Sequence, residues 1–453
     1  MSSSPLFAWA RIRGSITRQS PLLRPPLRGV AVLTCMLIGA ANVAAAPLSL
    51  AEALRLAVEQ SPQLASQRAL AEGARVGIVA AGALPDPKFR FKLENVAATT
   101  FERFTSRDYI TGARVGFSQE FPWADKLTLR TQRAEQDAQR ESVMIDVQRT
   151  AVQRDVAMAW MARYFAAAAE AKVTAQIAEA ELGVATGRAQ YRAGRVTQGE
   201  LIALQRAVIE LENRRTQIAL QVKRAQIAMT RFIGADADRP LGDAPDVARV
   251  PRAVAGLIDV NELPEVRAAL SREAVAAAEA NLAHADYGPD LTADFSYLHA
   301  GGAGDIVAFQ LAHPIEPQQH YSDQISLQLE TTLPVFRATR QGPRYAAKQK
   351  ELDAARSSRE EAQRKQMAQV QEMVAEWDSH RAEAMRIKDE LIPLAVQKRE
   401  AALAAYRGGT GTLDAVLKMR RDELNARLKL VQHEQLAGNA WAWLEYVFPV
   451  AEQ

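Results

Sequence analysis

The chain has 453 residues, of which 48% are hydrophobic, and a formal net charge of +3 at pH 7. The nearly balanced charge gives no case for nucleic-acid binding, and the slightly negative mean hydropathy argues against a helical membrane protein. Much of the hydrophobic content is alanine, and an alanine-rich, charge-rich sequence favours long, closely packed helices.

The N-terminal segment has the three regions of an export signal. A basic region is followed by an apolar region at residues 30–41 and by small residues at 43–45. We expect cleavage between Ala45 and Ala46, so that residues 1–45 are a signal peptide; a mitochondrial presequence is the alternative. The basic region contains Arg11, Arg13, Arg18, Arg24 and Arg28.

Cys35 is the only cysteine, and it lies inside the apolar region. The three residues before it are Val32, Leu33 and Thr34, which do not form a lipoprotein cleavage motif, so acylation is not expected. After cleavage the chain would contain no cysteine. The sequence therefore excludes disulfides, thiolate metal ligands and a thiol nucleophile in the mature protein.

The mature chain is predicted to begin with a helix and two strands. Apolar residues recur near helical spacing over residues 48–82, and Leu-Pro-Asp-Pro at 84–87 ends this helix. Residues 88–94 and 113–120 alternate between apolar and polar side chains. Alternation with a period of two predicts strands that have one apolar and one polar side.

A very long helix follows the strands. No proline occurs between residues 124 and 191, and a helix of this length would extend for about 100 Å, which is typical of a coiled coil or a similar rod. We expect the chain to reverse at Gly194, because glycine enters positive φ at little cost. Residues 201–232 form the returning helix, and a linker rich in Asp, Pro and Ala follows at 235–260.

The same order of elements then begins again. Leu-Pro-Glu-Val at 263–266 corresponds to Ser-Pro-Gln-Leu at 61–64, with an offset of 202 residues. Alternating runs at 291–297 and 325–330 predict two further strands. The two halves together indicate an internal duplication.

The second half also has its own long helix and glycine turn. Residues 337–406 are predicted to be helical, with a kink near Pro393, and Gly409 corresponds to Gly194 at an offset of 215 residues. Residues 413–447 close the second half. The predicted domains are residues 46–234 and 261–453, joined by the linker at 235–260.

Each half is thus predicted as helix, strand, strand, long helix, tip and helix. Four strands are too few to close a barrel with a lumen, yet an amphipathic sheet facing lipid must close because open edges cannot be satisfied in hydrocarbon. Three chains would supply twelve strands, a number within the range of known barrels. The predicted fold class is therefore mostly α with transmembrane β: two tandem structural repeats that form a trimeric 12-stranded β-barrel, continued by a periplasmic α-helical barrel.

The duplicated layout, the proline junctions and the paired glycine tips resemble the TolC-type outer-membrane efflux proteins, over the whole mature chain. The resemblance implies a homotrimeric channel-tunnel in the outer membrane of a Gram-negative bacterium, with a large periplasmic portion. Such channels contact outer-membrane lipid, dock a periplasmic adaptor (a membrane fusion protein) and an inner-membrane pump, and are not enzymes.

Two segments indicate a branch of that family. Pro-Asp-Pro at 85–87 and Phe-Ser-Gln-Glu-Phe-Pro-Trp at 117–123 look most like the heavy-metal branch, the CzcC- and CusC-like channels. This resemblance implies an RND-type pump and export of heavy-metal ions. Multidrug efflux and type I secretion remain open as alternatives.

The resemblance also assigns roles at the two tips. The residues that match the family's tip motifs, and that we expect to contact the adaptor, are Gly194, Arg195, Val196, Gly409, Thr410 and Thr412. Charged residues near the tips, together with Arg195, are candidates for salt bridges that hold the periplasmic gate closed and break on docking. They are Arg188, Arg192, Glu200, Arg407 and Asp414. Simple solvation of the helix ends is the alternative, because exposed ion pairs contribute little.

One feature departs from the family pattern. The best-known members have two aspartates one helical turn apart after the second tip, whereas this chain has Ala415 and Lys418 at those positions. The resemblance therefore does not extend to a cation-binding ring of aspartates. Polar side chains on the strands would line the lumen and tune selectivity, or merely solvate its wall. They are Lys88, Arg90, Lys92, Glu94, Arg114 and Glu330.

The sequence predicts neither catalysis nor a bound cofactor. No nucleophile and base are suitably arranged, the glycines at 408–411 lack the lysine of a phosphate-binding loop, and no pair of histidines has metal-ligand spacing on a helix. His299, His313 and His320 share a loop that we expect to be extracellular and solvated. A structural periplasmic coiled-coil or adaptor protein is the alternative from another class, although adaptors lack matching pairs of alternating strands.

Overall fold

The computed structural model describes residues 46–94, 112–123, 125–255, 259–300 and 323–448. The predicted signal peptide, Cys35, His313 and His320 lie outside these residues. The sections below concern the described parts of the chain.

Two helices, not one, precede the first strand. Helix α1 (Leu50–Gln60) ends at Ser61, and α2 (Pro62–Gly82) begins directly after it. The prediction of a single helix over 48–82 is therefore wrong. The residue before a proline disfavours helical backbone, and Ser61 is extended, with its hydroxyl accepting a hydrogen bond from the Leu64 amide at 3.3 Å.

The four alternating runs all form strands, as predicted. Strands β1 (Lys88–Glu94), β2 (Gly112–Phe121), β3 (Leu291–Ala300) and β4 (Gln324–Thr331) make one antiparallel sheet in the order β1-β2-β3-β4. Each strand is therefore hydrogen-bonded to the next one along the sequence, although β2 and β3 are separated by most of the helical part of the chain.

The long helices are also present. Helix α3 (Lys126–Arg192) has 67 residues, about 100 Å at the usual rise, and α4 (Gln198–Ile233) returns along it. The elements that follow are α5 (Arg252–Ala255), α6 (Pro264–Ala285), α7 (Gln341–Arg386), α8 (Ile392–Arg407) and α9 (Leu413–Glu445). None of the described helices has both the length and the apolar character needed to cross a membrane.

The interruption predicted near Pro393 takes the form of a π turn. Residues Ile387–Leu391 adopt π-helical geometry between α7 and α8, and Pro393 lies in the first turn of α8. Helix α7 starts at Gln341 instead of residue 337, because the residues before it form hydrogen-bonded turns.

The main core lies where both halves meet, and three tryptophans attach the surrounding chain to it. Trp160 donates to the Leu48 carbonyl at 3.2 Å, Trp377 to Val247 at 3.0 Å and Trp441 to Arg249 at 3.0 Å. The segment predicted as a linker thus packs against the helices, since two of these carbonyls belong to it. Buried indole N–H groups require such partners.

Candidate docking tips and amphipathic sheet

The first tip is a Schellman turn built around Gly194. Its φ is +70°, the Gly194 amide donates to the Tyr191 carbonyl at 2.9 Å, and the Arg195 amide donates to the Gln190 carbonyl at 2.9 Å. These two bonds satisfy carbonyls at the end of α3. A left-handed residue is required at this position, which explains why glycine occupies it.

The second tip repeats this geometry at Gly409. Its φ is +76°, its amide donates to Tyr406 at 3.1 Å, and the Thr410 amide donates to Ala405 at 3.0 Å. The predicted equivalence of Gly194 and Gly409 is thus visible in both the backbone conformation and the hydrogen bonds. The tips reverse the chain from α3 into α4 and from α8 into α9.

The helix starts after the two tips differ. Thr197 and Glu200 form a capping box: the Thr197 hydroxyl accepts from the Glu200 amide at 3.2 Å, and the Glu200 carboxylate accepts from the Thr197 amide at 2.9 Å. The bond from the Thr197 amide, followed by a second one that the Thr197 hydroxyl donates to the same carboxylate, lowers the pKa of Glu200. Thr412 accepts from the Ala415 amide at 3.2 Å, but alanine cannot return the bond.

Five of the six predicted docking residues are exposed, and the sixth is not. Gly194, Arg195, Gly409 and Thr410 lie on the surface of their turns, as does Thr412. Val196 is only 7% exposed. The Val196 side chain is buried where α4 begins, so that a docking role for Val196, which stays a prediction, would depend on the backbone of the turn.

The charged residues near the tips do not form the expected salt bridges within the chain. The Glu200 carboxylate accepts its hydrogen bonds within the capping box with Thr197. Among the described residues, no ion pair involves the remaining candidates, which are exposed: Arg188, Arg192, Arg195, Arg407 and Asp414. Lys418, at a position where the family has an aspartate, is exposed as well.

A different ion pair joins the two helical hairpins behind the tips. Arg421 on α9 lies 3.3 Å from Glu210 on α4, and Arg206 lies 2.7 Å from the same carboxylate. The hydrogen bond from Arg206, followed by the contribution of Arg421, lowers the pKa of Glu210. These residues were missed from the sequence, since nothing local indicates that α4 and α9 meet there.

The sheet separates apolar from polar side chains across all four strands. Phe89 faces Phe117, Phe117 faces Phe295, and Phe295 faces Leu327. The next row contains Phe91, Val115, Tyr297 and Ile325. This apolar face is exposed, with 61% of Phe89 and 72% of Leu327 accessible.

The polar face contains all six residues predicted for the lumen, and several of them contact one another. Arg114 contacts Glu94 at 2.8 Å and the Ser296 hydroxyl at 3.1 Å, and Lys92 contacts Glu94 at 3.2 Å. Charges of the two signs are equal in number on this face. The residues are Lys88, Arg90, Lys92, Arg114, Glu94, Glu120, Asp294 and Glu330.

One further ion pair on the polar face spans three strands. Arg90 on β1 pairs with Asp294 on β3, across the intervening strand β2. The residue of β2 opposite Arg90 is Gly116, where an added Cβ would lie 2.9 Å from the Ser296 Cβ. A side chain at Gly116 would therefore crowd strand β3.

Lys126 attaches the long helix to the sheet. Its ammonium contacts the Asp290 carboxylate at 2.8 and 2.9 Å, and Asp290 also accepts from the Trp123 amide at 2.9 Å. Lys126 is only 5% exposed, and Asp290 immediately precedes β3. The start of α3 is thereby fixed to the start of β3. No sequence pattern beyond the nearby proline junction indicates this pair.

The second half of the chain matches the model of a known protein family. The family model described as outer membrane efflux protein matches residues 261–447, which extend from the 3₁₀ turn before α6 to the end of α9. No curated protein sequence matches this chain.

Solved structures share the fold over most of their length. A membrane protein from Pseudomonas aeruginosa has a TM-score of 0.71 at 16% identity, and the match covers 88% of this chain and 93% of that one. The outer membrane protein VceC from Vibrio cholerae has a TM-score of 0.67 at 18% identity, and the match covers 88% of this chain and 95% of VceC. CusC, whose structures concern folding and transmembrane channel formation, has a TM-score of 0.72 at 13% identity, and the match covers 89% of this chain and 93% of CusC.

Proposed function

Since the family match and the shared fold support the outer membrane efflux protein family for this chain, we propose that it is the outer-membrane channel of a tripartite efflux system. The channel is a passive duct and not an enzyme. A periplasmic adaptor connects it to an inner-membrane pump of the RND type, and the pump supplies the energy.

The exposed apolar face of the sheet supports this proposal most strongly. Aromatic and aliphatic side chains cover one face of all four strands, and the average soluble monomer does not leave such a continuous apolar surface in water. Within the described sheet, β1 and β4 each pair with one strand only. Copies of the chain that pair through these edges would close a twelve-stranded barrel in a homotrimer, with its apolar face in lipid and its polar face around water.

The two glycine tips support adaptor docking. They present the same backbone geometry at the same end of two adjacent helical hairpins, and their exposed polar surface leaves room for a partner. A trimer would offer six such turns. In this proposal the described helices extend into the periplasm, and the tips form the entrance of the tunnel.

The exported substrate is proposed to be a heavy-metal ion. The resemblance of residues 85–87 and 117–123 to the CzcC- and CusC-like branch supports this choice. The balanced charge of the polar sheet face offers no ion selection of its own, so that the pump determines what enters. Multidrug efflux or type I secretion is the alternative use of the same duct.

Extraction and mass separate this proposal from a structural periplasmic coiled-coil or adaptor protein. A channel should leave the cell envelope only with detergent, in the outer-membrane fraction, and should have the mass of a trimer. A monomer released without detergent would contradict the channel. Deletion followed by growth on metal salts and on drugs tests the substrate: unchanged metal tolerance with lost drug tolerance would contradict the heavy-metal assignment.

A substitution at the second tip tests docking. Gly409→Trp should abolish efflux while the trimer still assembles, because Gly409 has φ +76° and lies at the exposed turn. Gly73→Trp is the matched control, since Gly73 lies on α2 with no heavy atom within 4 Å of an added Cβ. Normal efflux by the Gly409 variant would argue against a docking role.

A further inference from the structure

Three potential metal ligands converge between α7 and α9. The Nδ1 atoms of His380 and His433 lie 3.4 Å apart, and His433 Nδ1 lies 2.9 Å from the Glu383 carboxylate. One ligand atom from each residue lies within 4.8 Å of the other two. His380 and Glu383 are three residues apart on α7, which places them on the same face of the helix.

The spacing of these atoms suits a small cation. Two nitrogens bound to tetrahedral zinc at about 2.05 Å are roughly 3.3 Å apart, close to the separation of the two imidazoles. Two imidazoles and one carboxylate are ligands for divalent zinc, copper, nickel or cobalt. Magnesium and calcium instead prefer sites made of oxygen atoms.

The group lies between the helices and opens to solvent on one side. The His433 side chain is only 11% exposed. Lys429 is the nearby positive charge that acts against cation binding. Glu383 remains partly exposed, at 38% of its side chain, so that solvent can reach the fourth coordination position.

The other described histidines lack such an arrangement. His284 packs against the rings of Tyr287 and Tyr345, and His299 contacts one carboxylate, that of Asp323. Within the described ranges, the group on α7 and α9 alone brings three such donors together.

We propose that His380, Glu383 and His433 bind one divalent transition-metal ion of the zinc class, which links α7 to α9. Glu383 lies one helical turn before the π turn at Ile387–Leu391, so the ion would hold the end of α7 where its geometry changes. This site does not depend on the proposed efflux function, because it requires only that the chain fold.

Metal binding by the purified chain tests the site. The full chain, extracted in detergent and freed of metal, is dialysed against micromolar zinc chloride, and bound zinc is measured by mass spectrometry of the metal. We expect one zinc per chain. His380→Gln, Glu383→Gln and His433→Gln should each weaken binding by at least about tenfold, since loss of even an outer-shell partner typically has this effect.

Matched controls and a second readout make the result specific. His284→Gln, another histidine on a helix, should bind zinc like the unchanged chain. Cobalt(II) should give the visible absorption of a four-coordinate site in the unchanged chain and lose it in Glu383→Gln, whose partly exposed position should not prevent folding. Zinc should also raise the melting temperature of the unchanged chain but not that of the Glu383 variant.

Equal zinc content in the unchanged chain and in the three variants would overturn the proposal, as would failure of the unchanged chain to retain zinc. Excess magnesium that displaced the zinc would also overturn it. None of these results bears on the trimer mass or on efflux, so failure of the metal site and failure of the proposed function are distinguishable.

Discussion

The guanidinium of Arg421 lies 3.3 Å from the Glu210 carboxylate, and this contact joins α9 of the second half to α4 of the first, behind the two tips. Both side chains are partly exposed, 50% for Arg421 and 38% for Glu210. An ion pair of this kind changes the free energy of unfolding by less than about 1 kcal/mol. Its effect should therefore appear in the relative position of the tips and not in stability.

Arg421→Ala should broaden the distribution of distances between the two tips. Spin labels at Arg195→Cys and Thr410→Cys can report this distance, because the sole cysteine, Cys35, lies in the predicted signal peptide. We expect a wider distribution by pulsed electron resonance, with labelled chains diluted in unlabelled ones. Arg214→Ala is the control, since this exposed arginine of α4 makes no ion pair among the described residues. Identical distance distributions in the unchanged chain and in the two alanine variants would show that the Arg421–Glu210 pair does not affect the position of the tips.

Alanine at either tip glycine should destabilise the chain. Gly194 and Gly409 have φ of +70° and +76°, and an L-residue in this region costs about 1–2 kcal/mol. Gly199 provides the opposite case, because it lies in the first turn of α4 without positive φ and has no atom within 4 Å of an added Cβ. Gly199→Ala should be neutral or stabilise by about 0.5 kcal/mol. Thermal unfolding in detergent compares the three alanine variants. Equal shifts in their melting temperatures would contradict the cost assigned to positive φ at the two tips.

Lys126→Met should loosen the attachment of α3 to the sheet. The substitution leaves the Asp290 carboxylate without its ammonium partner, at a site where Lys126 is 5% exposed. Breaking a buried ion pair costs about 3–5 kcal/mol, and we expect roughly 2–3 kcal/mol because Asp290 reaches solvent. Lys350→Met removes an exposed pair with Asp353 and should change stability by under about 0.5 kcal/mol. Equal melting temperatures for the two variants would refute the prediction.

Alkaline pH should lower the free energy of unfolding because Tyr446 is buried in the core. Burial, and then the nearby Glu445, raise the pKa of Tyr446 from 10.0 to about 12. Between these pH values the unfolded chain has released the phenolic proton and the folded chain still holds it, so stability falls as pH rises from 10 to 12. The total loss is on the order of 2–3 kcal/mol.

Tyr446→Phe should remove that part of the pH dependence. Its melting temperature should decline less than that of the unchanged chain when pH rises above 10. Tyr191→Phe is the control, since Tyr191 is 42% exposed on the first tip. Parallel curves for the Tyr446 variant and the unchanged chain would exclude this role.

Local sequence patterns were sufficient to locate most helices, strands and turns of this protein. Period-two alternation located four strands, the absence of proline located the 67-residue helix, and the glycines located two left-handed turns. Each of these signals is local, since backbone conformation depends on a few neighbouring residues. The break at Ser61 was missed although the Ser-Pro signal was present.

The contacts between distant side chains could be identified only from the packed helices. Arg421 and Glu210 are 211 positions apart, Lys126 and Asp290 are 164 apart, and His380 and His433 are 53 apart. These contacts depend on the rotation and axial shift of one helix against another, which no pattern of local periodicity specifies. For the same reason the sequence could place Val196 at a tip but not reveal that its side chain is buried there.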